Sequence, residues 1–273
     1  MGGARPASAG SEAVRVTNEA GLSPYVIVCD HASNFIPPQL GTLGLPDEAL
    51  LRHIAWDPGA LGVSEGLSAH LDAALVQSCV SRLVIDCNRP LEAHDLIAET
   101  SETTGIPGNR ALTHAQRAER IRLSYDPFHA AVAGVVDRRL HAGRETRLVS
   151  IHSFTPVYRG IARPWQVGVI HDDDRRIADP LIAALEALGD LEVGRNEPYS
   201  PADRVYFTLT RHARSRGLPC AMVEIRNDQI AVAERQAEWA RLLGVALSGI
   251  GISWDDTRSR PGNGSVHRAG TAG

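Results

Sequence analysis

The segment "YVIVC" at residues 25–29 is a short run of apolar, mostly β-branched residues without polar alternation. That pattern is typical of a strand covered on both faces, as the strands of parallel sheets are. Comparable runs recur along the chain, at 73–78, 82–86, 147–151, 165–170, 191–194 and 220–225. The sequence therefore predicts a sheet whose two faces are both covered.

Helical patterns separate most of these runs, at 46–55, 58–73, 113–143, 174–189 and 229–249. Within 113–143, Thr113 is a predicted N-cap, and Pro127 should disturb the helix because proline lacks the backbone N–H. Alternating strands and helices predict a layered α/β fold with a largely parallel or mixed sheet.

Composition limits the class of protein. The 273 residues carry a formal charge of -4, so no basic surface argues for nucleic acid or an anionic membrane. All of the positive charge is arginine, which excludes a lysine nucleophile. The four cysteines form no metal-binding or disulfide-like spacing, and no apolar stretch resembles a signal peptide or a membrane span. We expect a cytoplasmic protein with one catalytic domain over 13–256 and disordered tails at 1–12 and 257–273.

Polar groups stand at or just after the ends of four predicted strands: His31, the pair Asn88 and Arg89, His152, and Glu224. In open α/β sheets, functional residues gather beyond the carboxyl ends of the strands, so these groups are candidates for one site. Glu224 is the most informative of them, because burying an unpaired carboxylate costs several kcal/mol. An ion pair with Arg226 is the alternative explanation, since residues two apart on a strand share a face.

Metal-assisted hydrolysis is the chemistry that this set supports. Catalytic zinc takes three protein ligands and keeps a position for water, and histidines are good ligands. A glutamate can serve as base for the water and then as acid for the leaving amine. A neighbouring Asn–Arg pair could hold a substrate carboxylate.

Several stretches together resemble the N-formylglutamate amidohydrolase family: "VCDHASNFIP", "HIAWDPGA", "RLVIDCNRP", "SIHSFTPVYRG", "RPWQVGVIHDDD" and "GLPCAMVEIRND". The resemblance covers roughly residues 22–250. Through similarity to zinc carboxypeptidases and aspartoacylase-type hydrolases, it implies a phosphorylase/hydrolase-like fold, in which a mixed, largely parallel sheet lies between helices in a three-layer α/β/α sandwich.

The resemblance also implies roles. It makes His31 and His152 zinc ligands, Glu224 the general base, and Asn88 with Arg89 a clamp for the substrate carboxylate. The relatives carry an acidic ligand three residues after the first histidine, where this chain has the neutral Asn34. Either Asn34 coordinates through its amide oxygen or Asp57 supplies the carboxylate. A helix cap is the alternative role for Asp57, since Pro58 follows it.

Tyr158 and Arg163 follow the second histidine and are further candidates for contact with the substrate, Arg163 through a carboxylate or an oxyanion. The predicted function is metal-dependent hydrolysis of the N-acyl (N-formyl) amide of a small acidic amino acid, most simply N-formylglutamate to glutamate and formate. Zinc is the expected metal, and another divalent metal is the alternative. The alternatives are an amidase for another N-acyl amino acid or a short peptide, and a non-catalytic binding protein with the same fold.

Overall fold

The computed structural model describes residues 12–252, and within that range the main sheet has seven strands. The strands are β1 (Val14–Thr17), β2 (Tyr25–Cys29), β3 (Ala74–Ser78), β4 (Arg147–Phe154), β5 (Val167–Ile170), β6 (Val193–Arg195) and β7 (Cys220–Arg226). The helices are α1 (Asp47–Leu50), α2 (Ala60–Leu71), α3 (His114–Arg120), α4 (Asp126–His141), α5 (Ala178–Glu186), α6 (Phe207–His212) and α7 (Ala233–Ser248). Two small hairpins lie apart from the sheet, Thr100–Ser101 with Thr104–Gly105 and Val157–Tyr158 with Ile161–Ala162.

The sheet is mixed and largely parallel, as predicted. Its strand order is β1-β3-β2-β4-β7-β5-β6. The central strands β3, β2, β4 and β7 run parallel to one another, and β5 pairs in parallel with β6. Within this sheet, as described over residues 12–252, only the pairs β1 with β3 and β5 with β7 are antiparallel.

Helices cover both faces of the sheet and complete the predicted three-layer sandwich. On one face, Ile27 packs in a core that includes Leu67 of α2 and Leu243 of α7. On the other face, Val28 packs in a core that includes Phe128 of α4 and Leu209 of α6. Consecutive strand residues point to opposite faces, so both core layers draw on the same apolar runs.

The predicted strand at 82–86 is wrong, because these residues form turns. Leu83, Val84 and Ile85 are buried in a third apolar cluster, together with residues of the loops on either side. The apolar run therefore indicates correctly that these residues are buried, but loops bury them and not the neighbouring strands of a sheet. Strand β1, a half-exposed edge strand, was not predicted, and the helix predicted at 46–55 is only the four residues of α1.

The helix predicted at 113–143 begins at its expected cap and is irregular before Pro127. The Thr113 hydroxyl accepts a hydrogen bond from the Gln116 N–H at 3.2 Å. A π-helical turn over Ile121–Tyr125 joins α3 to α4, and the proline without an N–H lies in the first turn of α4.

No helix among residues 12–252 combines the length and the apolar character that crossing a bilayer requires. The strands of the main sheet lie between Val14 and Arg226. The single domain over 13–256 stays a prediction. The expected disordered tails at 1–12 and 257–273 lie outside the described residues, apart from Glu12.

Candidate active site

Three segments bring His31, Asp57 and His152 together at one end of the central strands. His31 lies two residues beyond β2, His152 lies inside β4, and Asp57 precedes α2. The Asp57 Oδ2 atom lies 3.3 Å from His31 Nδ1 and 2.8 Å from His152 Nδ1. All three side chains are almost fully buried. These are three of the four residues predicted as candidate metal ligands.

Asn34, the fourth, is not part of this cluster. Its side-chain amide donates a hydrogen bond to the Leu50 carbonyl at 2.9 Å. The carboxylate that faces both histidines is that of Asp57, and the helix-cap alternative for Asp57 is wrong. The α2 N-cap is Gly59, which has no side chain to cap the helix, and the Asp57 carboxylate is bound instead by the two histidines.

Each histidine of the cluster also has a carboxylate on its other ring nitrogen. His31 Nε2 lies 2.7 Å from Asp86 Oδ1, and His152 Nε2 lies 3.0 Å from Asp30 Oδ2. Sequence analysis assigned no role to Asp30 or Asp86. A signal was present, because Asp30 adjoins His31 and both acids end apolar runs.

One guanidinium group, that of Arg82, forms hydrogen bonds with two of these carboxylates, those of Asp57 and Asp86. Arg82 Nη1 donates to Asp57 Oδ1 at 3.3 Å, and its Nη2 donates to Asp86 Oδ2 at 2.9 Å. His53 Nε2 also lies near the cluster, 3.4 Å from Asp57 Oδ1 and 2.6 Å from the Ser153 carbonyl oxygen. Sequence analysis missed both residues, although His53 belongs to the stretch "HIAWDPGA".

The electrostatics of the cluster favour an added cation. Burial acts to lower the pKa of His152, but hydrogen bonds and charges of Asp30 and Asp57 outweigh it and hold that pKa well above the usual value. The pKa of His31 is also raised, since the charges of Asp86 and Asp57 outweigh burial and Arg82. Burial acts to raise the pKa of Asp57, yet the two histidines hold it well below the usual range. Asp30, Asp57 and Asp86 are three carboxylates around one guanidinium group, that of Arg82, so the histidines or a bound cation must supply the remaining positive charge.

The geometry fits a metal ion. Tetrahedral donors about 2.1 Å from zinc are separated by roughly 3.4 Å, and the Asp57 oxygen lies 3.3 and 2.8 Å from the two Nδ1 atoms. The three donor atoms lie within 4.8 Å of one another. Two imidazoles and one carboxylate form a ligand set that catalytic zinc sites use. His31, Asp57 and His152 are therefore the residues that could hold the ion.

Glu224 lies beside the cluster without a partner of its own. It pairs in register with His152 across β7 and β4, so the two side chains share a face of the sheet. Its Oε2 atom is buried and has no hydrogen-bond partner among residues 12–252. Burial is the main cause that raises the pKa of Glu224 to about 7. The alternative ion pair is wrong, because Arg226 Nε donates to Asp228 Oδ1 at 2.8 Å.

A cavity of about 440 Å³ opens onto the cluster and Glu224, and Asn88 and Arg89 lie in its wall. The Asn88 amide is already engaged: its nitrogen donates to the Val205 carbonyl and its oxygen accepts from the Thr208 N–H at 3.0 Å. The predicted strand before this pair does not exist, so the pair follows a turn. The pair of Asn88 and Arg89 lies beside the site, where the sequence predicted it. The backbone partners of Asn88 were not predicted.

Arg89 is partly engaged as well. Its Nε donates to Asp95 Oδ2 at 3.1 Å, and its Nη1 donates to the carbonyls of Asn88 and Arg204. Its Nη2 has no hydrogen-bond partner among the described residues. One edge of this guanidinium therefore stays available on the cavity wall.

Arg163 has no carboxylate partner within residues 12–252. It is 8% exposed, and its guanidinium lies 4.6 Å from the Tyr158 ring centroid and 4.8 Å from that of Tyr199. Its Nη1 donates to the Tyr199 hydroxyl at 3.0 Å. Both tyrosines line the cavity, whereas Arg163 contacts them and is not itself a lining residue. A nearly buried cation without a counterion is costly, so this wall is suited to an anionic ligand.

Comparisons with known proteins show the family and the fold of the chain. The sequence model of the N-formylglutamate amidohydrolase family matches residues 23–231. The gene product Atu2144 from Agrobacterium tumefaciens is 46% identical, with a TM-score of 0.84 over 88% of this chain and 96% of that chain. No curated protein matches the chain significantly.

Two further solved structures are more distant. The N-formylglutamate amidohydrolase from Ralstonia eutropha JMP134 is 17% identical, with a TM-score of 0.62 over 87% of this chain and 97% of that one. At this identity the likeness shows the fold alone. An aspartoacylase family protein from Mesorhizobium loti MAFF303099 is 14% identical, with a TM-score of 0.37 over 88% of this chain and 62% of that one. This likeness is too weak to support a conclusion.

Proposed function

Because the chain belongs to the N-formylglutamate amidohydrolase family, whose members are hydrolases of carbon–nitrogen bonds other than peptide bonds, we propose that it is a metal-dependent amidohydrolase. Its substrate is the N-acyl amide of a small acidic amino acid, most simply N-formylglutamate, which yields glutamate and formate. The observation that carries the proposal is the unpartnered Glu224 carboxylate beside the cluster of His31, Asp57 and His152.

His31, Asp57 and His152 hold the ion, which we propose to be zinc. When bound, zinc supplies a lowered pKa for a water molecule and polarises a carbonyl oxygen. Glu224 takes a proton from the attacking water and delivers it to the departing nitrogen. The water oxygen bonds to the acyl carbon, the carbon–nitrogen bond breaks, and its electron pair leaves with the amine. The buried position of Glu224 suits this task, because a base works best with a pKa near the working pH.

Two arginines are proposed to bind the carboxylates of the substrate. Arg89 offers its Nη2 edge on one part of the cavity wall. Arg163 offers the N–H groups that remain after its bond to Tyr199, with Tyr158 against its face. An N-acylated acidic amino acid carries two carboxylates, so two guanidinium groups match its charge. In this proposal Asn88 positions the neighbouring backbone and does not contact the substrate.

Replacing either arginine by lysine tests these anchors. Arg89→Lys and Arg163→Lys keep the charge but lose the planar fork, so each should raise KM for N-formylglutamate about 10-fold or more, with kcat changed less. One of the two arginines should bind the side-chain carboxylate of the substrate. Its lysine variant should also lose the preference for N-formylglutamate over N-formylglutamine. Arg195→Lys, on the exposed edge strand β6, is the matched control. An unchanged KM would remove that arginine from the binding site.

The direct test is formate release from N-formylglutamate by the purified protein. We expect turnover that is abolished by a chelator and restored by added zinc. A panel of N-formyl, N-acetyl and peptidyl substrates under the same conditions separates this proposal from the alternative amidases. No turnover of any of them with metal present would contradict the proposal.

The non-catalytic alternative depended on the neutral Asn34, and Asp57 removes that reason by bringing a carboxylate to both histidines. We also place the reaction in the cytoplasm, which the four free cysteine thiols support.

A further inference from the structure

The two histidines of the cluster present the same ring nitrogen to Asp57 and the same opposite nitrogen to a second carboxylate. Nδ1 faces Asp57 in both rings, at 3.3 Å for His31 and 2.8 Å for His152. Nε2 faces Asp86 at 2.7 Å in His31 and Asp30 at 3.0 Å in His152. A histidine that binds an ion through Nδ1 carries its ring proton on Nε2, and an ionised carboxylate can only accept the hydrogen bond of that proton. Asp86 and Asp30 are placed to accept it from His31 and His152.

We propose that Asp30 and Asp86 are positioning residues that hold both histidines in the tautomer whose Nδ1 atom binds the metal ion. This inference rests on the proposed function, because it requires the metal site of His31, Asp57 and His152. Carboxylates on the outer nitrogen of metal-bound histidines fix the orientation of the ring and increase its basicity.

Both carboxylates are themselves held in place. Asp30 Oδ2 accepts a hydrogen bond from the Ser150 hydroxyl at 2.8 Å, and its Oδ1 accepts one from the Thr208 hydroxyl. Asp86 accepts hydrogen bonds from the Asn88 N–H at 2.8 Å and from Arg82 Nη2 at 2.9 Å. These contacts hold both carboxylates on the outer nitrogens of the histidines, although Asp86 also lines the cavity, and this favours a role in orienting the histidines over one as a ligand.

The arrangement also gives a reason for the dipeptide of Asp30 and His31. One residue orients the histidine on the neighbouring strand β4, and the next faces the metal site itself. The two ligand histidines are thereby coupled through adjacent backbone positions. Substitution of Asp30 should therefore disturb the orientation of His152 more than that of His31.

The test is the affinity for Zn²⁺, measured by competition with a chromophoric chelator. Asp30→Asn and Asp86→Asn keep an oxygen that can accept the Nε2–H but lose the charge, whereas Asp30→Ala and Asp86→Ala lose both. We expect each Asn variant to bind Zn²⁺ about 10-fold more weakly than the wild type and each Ala variant about 100-fold more weakly. The Co²⁺-substituted variants should show a changed visible absorption spectrum, which a loss of stability alone would not produce.

Asp174→Asn is the matched control, because Asp174 is also a buried carboxylate, bound by Arg176 and Arg214 away from the cluster. It should lower the melting temperature and leave Zn²⁺ affinity unchanged. Should an Ala variant fail to fold, the isosteric Asn variant at that position carries the test. Unchanged Zn²⁺ affinity in the Asn and Ala variants would overturn this inference alone. A wild-type protein that binds no Zn²⁺ would overturn the proposed metal site and this inference with it.

Discussion

Glu224→Gln should lower kcat for the N-acyl substrate by about 10²–10⁴-fold, the usual loss when a general acid–base is removed. Glutamine has nearly the same shape but cannot accept the proton of the attacking water. Zinc should stay bound and KM should move little, because Glu224 is not among the proposed ligands or substrate anchors. Steady-state kinetics and zinc content measured on one preparation check all three expectations.

The same variant should be more stable than the wild type at alkaline pH when no metal is bound. Burial raises the pKa of Glu224 from 4.5 to about 7, so the folded protein holds this proton more tightly than the unfolded chain does. Stability contributed by the protonated carboxyl is therefore lost as pH rises from 4.5 through 7. Glutamine does not ionise, so the melting temperature of the metal-free variant should exceed that of the wild type above pH 7.

This outcome separates a catalytic Glu224 from a structural one. A structural ion pair would predict a lower melting temperature and nearly normal turnover, but Arg226 donates to Asp228 and to the carbonyls of Arg163 and Pro164. Full activity with reduced stability would remove Glu224 from the mechanism. Asp228→Asn, which disturbs the partner of Arg226 and leaves Glu224 in place, is the matched control.

His31→Ala and His152→Ala should each lose stoichiometric zinc. The barrier to hydrolysis should then rise by several kcal/mol, so that turnover falls about 10³-fold or more. Each substitution removes one of three proposed ligands. Metal analysis after dialysis, together with formate release at saturating substrate, measures both effects. Retention of full zinc content and activity by either variant would contradict that ligand assignment.

The third ligand can be decided by a pair of variants. Asp57→Asn removes the charge that faces both histidines and should weaken zinc binding, whereas Asn34→Ala only removes a hydrogen bond to the Leu50 carbonyl and should leave zinc bound. The reverse result would return the ligand role to Asn34. His152 lies within the eight-residue strand β4 and bonds both Asp30 and Asp57, so His152→Ala removes two buried contacts and should also lower the melting temperature.

The sequence by itself determined the α/β class, six of the seven strands of the main sheet at least in part, and the candidate positions His31, His152 and Glu224. A buried strand is readable locally, because most of its residues are apolar. An ionisable residue inside or just after such a run is equally conspicuous, because burial of its charge needs a reason.

Only the tertiary structure decided which groups meet. Asp57 reaches His31 from 26 residues away and His152 from 95 residues away, and no local pattern marks it over Asn34. The run at 82–86 has the apolar residues of a strand but is buried by loops and pairs with no strand. Only the tertiary structure distinguishes a run that is buried by loops from one that is paired in a sheet. Asn88 has the residue type of a substrate clamp, yet its amide is bound by backbone 117 and 120 residues away. A local pattern reports how deeply a residue is buried, whereas its partners are set by the packing of segments distant in the chain.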